Sequence, residues 1–116
     1  MKLENQVCNL ELAKKLKEVG VKQESAFYWT RFKDTLKLYL WDIREWPNEK
    51  VHPAIASAFT TAELGEMLPD HKYTDRERGK WYCFIGGHCP VNAETEADCR
   101  AKMLVYLLEN NLMKKA

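Results

Sequence analysis

The chain has 116 residues, with 18 Lys and Arg against 17 Asp and Glu, and 46% of its residues are hydrophobic. That length holds one hydrophobic core, and that apolar content argues against intrinsic disorder. The net charge of +1 lacks the basic excess of a dedicated DNA binder, and the longest apolar run, Met103–Leu108, falls far short of the roughly 18 residues that span a bilayer.

The opening segment, Met1-Lys2-Leu3-Glu4-Asn5-Gln6, has no apolar signal-peptide core. The expected setting is therefore the cytoplasm, away from membranes. The first predicted element is a helix from Leu10 to Val19. Asn9 serves as its N-cap and Gly20 as the left-handed residue that ends it. Leu12, Ala13, Leu16 and Val19 fall at helical spacing on its buried side. Ser25–Phe32, dense in aromatic residues, reads as a strand. After a short turn at Lys33-Asp34-Thr35, Leu36–Ile43 alternates strictly. Leu36, Leu38 and Leu40 share one face, and Lys37, Tyr39, Trp41 and Ile43 share the other. These two strands are expected to form an antiparallel hairpin.

Glu45–Pro53 carries Trp46-Pro47-Asn48 and His52-Pro53 and reads as a loop, extended through Thr60 where the next helix opens. That short helix runs to about Met67, with Thr60 and Glu63 as a capping box and Pro69 beyond its end. Asp70–Gly79 is charged and turn-like, the outward limb of a second hairpin. Lys80–Ile85 is its return strand, Gly86-Gly87 makes a tight turn, and Val91 marks a short further limb. The last helix starts at Thr95 with Asp98 as its capping partner. It presents Ala97, Ala101, Leu104, Val105, Leu108 and Leu112 as an apolar face. The predicted fold is a single α+β domain in the order α-ββ-α-ββ-α. An antiparallel sheet of three to five strands carries its helices on one face.

Three stretches carry a family resemblance. They are Ala13–Ser25 with Phe27-Tyr28-Trp29, Thr61–Pro69, and Glu94–Asp98 with Arg100–Asn110. Together they resemble a family of small uncharacterised proteins encoded by tailed bacteriophages, prophages and related mobile elements. The resemblance implies a bacterial cytoplasm and an accessory protein, not a metabolic enzyme. It brings no activity and no functional residue with it.

Reactive groups are sparse. Cys8, Cys83, Cys89 and Cys99 are expected as reduced thiols, since nothing marks the chain for an oxidising compartment. Cys83, His88, Cys89 and Cys99 do not have the short paired spacings of a structural zinc site. Adjacent His88 and Cys89 would also point to opposite faces of a strand. Neither a metal nor any other cofactor is expected. No nucleophile motif surrounds a cysteine together with His52, His71 or His88, and Gly86-Gly87 lacks the rest of a phosphate loop. Glu63 and Glu66, one helical turn apart, are expected to face solvent. The chain is read as a non-enzyme.

The thirteen aromatic residues are the distinctive supply. If the leucines of the second strand face the core, Lys37, Tyr39 and Trp41 are left on the opposite face. Trp29 with Arg31, or Tyr28, would extend that face. The candidate binding residues are therefore Trp29, Arg31, Lys37, Tyr39 and Trp41. Such a platform suits a protein partner or a second copy of the chain. Aromatic stacking beside basic residues also suits a nucleic acid or nucleotide. The alternative is that the segment 45–60 folds over this face and buries it.

Overall fold

In a computed structural model of the chain, residues 2–32, 35–40, 54–70, 72–86 and 88–113 are described. The protein is α+β, with three α-helices and two antiparallel sheets of three strands each. A 3-10 turn (Leu3–Asn5) leads into α1 (Leu10–Glu18), followed by β1 (Phe27–Phe32), β2 (Thr35–Leu40) and β3 (Ala54–Ser57). Helix α2 (Thr61–Met67) then connects to β4 (Lys72–Glu77), β5 (Lys80–Ile85), β6 (His88–Ala93) and α3 (Glu96–Glu109).

Each predicted hairpin has acquired a third strand, so the expected single sheet is two sheets, ordered β2-β1-β3 and β4-β5-β6. The reason lies at β1 and β5. Each is a central strand whose two edges are both taken, which completes each sheet separately. Strand β3 falls within the segment read as loop. Its Ala54-Ile55-Ala56-Ser57 sequence has weak intrinsic strand preference, yet Ala56 and Ser57 are buried and register against Trp29 and Tyr28. In β6, three residue steps from Val91 to His88 oppose two from Cys83 to Ile85. Pro90 sits in that irregularity, where a missing amide proton is tolerated.

The caps follow the sequence. Asn9 Oδ1 accepts from the Leu12 amide at 2.9 Å, and Gly20 takes a φ of 93° after α1. The capping box of Thr60 and Glu63 forms in full. Glu63 does more than cap, and it does not simply face solvent. Its carboxylate also accepts from Ser25 Oγ at 2.7 Å and from the Ala26 amide at 2.9 Å, tying α2 to the entry of β1. Asp98 in the first turn of α3 accepts from the Asn9 amide at 2.7 Å, which anchors α1 on α3. The expected apolar face of α3 is shorter than its sequence implied. The helix ends at Glu109, Asn111 turns to a φ of 55°, and Leu112 is left 58% exposed.

Helix α3 packs on β5, β6, α1 and α2, while α1 packs on β3 as well. The helices thus bridge the two sheets. One apolar cluster includes Trp29 and Ala56 of the first sheet, Cys83 and Ala93 of the second, and residues of all three helices. Among the described residues no helix is long and apolar enough to cross a membrane.

Gly65 on α2 marks a close helix contact. A Cβ there would run into Nη1 of Arg100. That guanidinium donates to the Thr61 carbonyl at 3.1 Å and pairs with Glu96 at 3.2 Å. Gly65→Ala must displace it, losing both bonds, against a gain of about 1 kcal/mol in helix propensity. A net loss of about 1–2 kcal/mol is expected in denaturant unfolding. A variant as stable as the parent would show that the guanidinium moves aside at no cost.

Candidate functional site

The pairing register decides what each sheet face presents. Trp29 lies opposite Leu38, and Arg31 opposite Leu36. Directly opposed residues share a face, so Trp29 and Arg31 stand with the leucines. Lys37 lies opposite Thr30, and Tyr39 opposite Tyr28. The first of these pairs places Lys37 on the other face. The five predicted residues are therefore not brought together, and Trp41 lies outside the described residues.

Trp29 is a core residue. It is 7% exposed, and its indole Nε1–H donates to the Cys8 carbonyl at 2.9 Å. Arg31 and Lys37 are exposed. On the face of Lys37, the central-strand residues Tyr28 and Thr30 are both buried. That face is closed at its centre, so an open aromatic platform on the first sheet is corrected. The alternation of β2 was read properly. What it could not supply was the offset of β1, on which the side taken by Trp29 depends.

The open aromatic face lies on the second sheet. Thr74, Cys83 and Val91 register across β4, β5 and β6 on the side that faces α3. Thr74 Oγ1 hydrogen-bonds there to the Glu96 carboxylate, and the Cys99 thiol donates to the Trp81 carbonyl at 3.3 Å. The intervening residues Tyr73, Asp75 and Glu77 of β4, and Lys80, Tyr82 and Phe84 of β5, turn to the outer side. Tyr73 and Phe84 are directly paired. Their rings stack with centroids 4.6 Å apart and planes 7° from parallel. Tyr73 is 54% exposed, while Tyr82 and Phe84 are half-buried.

The rim of this face is mixed in charge, with Asp75, Glu77 and Lys80 all exposed. The sequence held a usable signal, because the alternation in Lys80–Ile85 separates Tyr82 and Phe84 from Trp81, Cys83 and Ile85. Tyr73 was hidden by its charged neighbours, whose composition reads as turn and not as strand.

Three of the thiols, those of Cys8, Cys83 and Cys99, are in no disulfide and are fully buried. Burial pushes the Cys8 thiol up to about 12. The neighbouring Cys99 side chain holds the Cys83 thiol below its ordinary value, against the opposing effect of burial. Among the described residues, no group of three or more metal-ligating side chains converges. No protein-family model, curated protein or solved structure matches the chain. The candidate site therefore stands on its geometry.

Proposed function

We propose that this chain is a non-enzymatic protein-binding module of a phage or prophage. It would act in the bacterial cytoplasm on a host or phage protein through the outer face of β4-β5-β6. The observation that carries this reading is the stacked, solvent-facing pair Tyr73 and Phe84 beside Tyr82. Tyrosine anchors within a polar rim are the makeup of an interface hot spot. The setting follows from the resemblance of Ala13–Ser25 with Phe27-Tyr28-Trp29, of Thr61–Pro69, and of Glu94–Asp98 with Arg100–Asn110 to proteins of mobile elements. The non-enzymatic character accords with the sealing of the Cys8, Cys83 and Cys99 thiols in the core.

A nucleic acid is the competing partner. Asp75 and Glu77 oppose it, since they stand where a phosphate backbone would need cations. The test compares the immobilised parent chain with Tyr73→Ala in lysate of a bacterial host, followed by direct titration of any retained protein. The expected result is a protein bound by the parent and weakened about tenfold or more by Tyr73→Ala. Lys22→Ala, at an exposed ion pair with Glu24 elsewhere on the surface, should bind like the parent. Identical capture by parent and Tyr73→Ala would overturn the reading. So would retention of single-stranded oligonucleotides at physiological salt with no protein.

A further inference from the structure

A second concave site lies on the opposite side of the same sheet, where its inner face overhangs the start of α3. Arg76, Trp81 and Ala93 form one row across β4, β5 and β6, and Glu94 follows Ala93 at the end of β6. A cleft of about 660 Å³ opens here, lined by Arg76, Trp81, Glu94 and Glu96 and floored by Asn5 and Thr61. The volume is in the range of small-ligand sites. Trp81 remains partly exposed, although Cys83, its inner-face neighbour on β5, is fully buried. Trp81 packs against the core on one side and lines the cleft with the part left exposed.

The charges narrow what can fill it. Glu96 is already engaged by Arg100 and Thr74. Arg76 and Glu94 form no ion pair among the described residues. They stand on opposite edges of the sheet with Trp81 between them, on backbones about two strand spacings, or roughly 10 Å, apart. A free cation and a free anion flanking an indole complement a ligand that carries both charges next to each other and an aromatic group beside them. Two glutamates at the rim disfavour a phosphate or another simple anion.

We propose that this cleft binds a small aromatic zwitterion, either an α-amino acid or a dipeptide. Arg76 receives the carboxylate, Glu94 the ammonium, and Trp81 the ring. The chemistry is common to both ligands, and the experiment separates them.

The experiment is calorimetric titration of the full chain with four compounds. L-phenylalanine and the dipeptide Phe-Phe carry both charges. L-phenylalaninamide lacks the carboxylate, and N-acetyl-L-phenylalanine lacks the ammonium. The parent should bind at least one of the doubly charged compounds about tenfold more tightly than either single-charge analogue, the scale of one charge-assisted contact. The tighter of the two identifies the source. Arg76→Gln should abolish the preference over the amide, and Glu94→Gln the preference over the N-acetyl compound. Both positions are exposed, so circular dichroism should show unchanged folding. The proposal fails if no compound gives saturable binding at millimolar concentration. It also fails if a single-charge analogue binds as tightly as the zwitterions, or if the variants keep the parent's preferences.

Discussion

Replacing Trp29 with alanine is expected to cost about 3–5 kcal/mol of folding stability, the range for a buried aromatic truncated in a packed core. The ring stands 7% exposed within the cluster that joins the two sheets through the helices. Its removal opens a cavity between β1 and the N-terminal segment, and it leaves the Cys8 carbonyl without the Nε1–H donor at 2.9 Å. Against a total stability of about 5–15 kcal/mol for a typical domain, that loss is a large share, and it brings a chain at the low end of the range close to unfolding. Trp29→Phe separates the two contributions. It keeps most of the apolar bulk and forfeits the hydrogen bond, at about 1–3 kcal/mol for the carbonyl left unpaired. Urea unfolding measures both. An alanine variant within about 1 kcal/mol of the parent would contradict the placement of the indole in the core. One practical consequence follows. Loss of binding on mutating Trp29 would report unfolding, whereas Tyr73, on the solvent side of the second sheet, can be truncated without opening the core.

The same residue shows how far the sequence carries. Local signals with a local cause were legible: Asn9 and Thr60 as caps, the capping box with Glu63, and the strand character of Leu36–Leu40. Each depends on contacts within a few residues. The face occupied by Trp29 depends instead on how β1 registers against β2. A slip of one residue would have exchanged it with Tyr28. Strand β3 was hidden for a related reason. Ala54-Ile55-Ala56-Ser57 has little preference of its own and is a strand because the free edge of β1 accepts it. The stack of Tyr73 on Phe84 required the partner of a charged segment to be known. Composition correctly indicated surplus aromatic residues but misplaced them. Among the described residues, Trp29 and Tyr28 are spent inside, and the aromatic residue most exposed to solvent, Tyr73, lies on the second sheet.

Raising the pH should expose the burial of Cys8 as a loss of stability. The thiol of an unfolded chain ionises near 9.0, whereas burial in the folded protein raises that of Cys8 to about 12. Below pH 9 both states hold the proton, so this group adds no pH dependence. Between pH 9 and pH 12 the unfolded state releases the proton and the folded state retains it. Stability then falls by up to about 1.4 kcal/mol per pH unit from this residue alone. Tyrosines and lysines also titrate in this window, so the informative quantity is the difference from Cys8→Ala. That variant removes the thiol and leaves the backbone bond from the residue 8 amide to the Phe59 carbonyl, 2.9 Å in the parent, free to form. The parent should be the more stable protein at pH 8, because the variant leaves a small cavity. Its advantage should shrink steadily above pH 9 and then reverse. Curves that stay parallel to pH 11 would mean that the Cys8 thiol ionises as readily in the folded chain as in the unfolded one, which a side chain with no solvent exposure should not do.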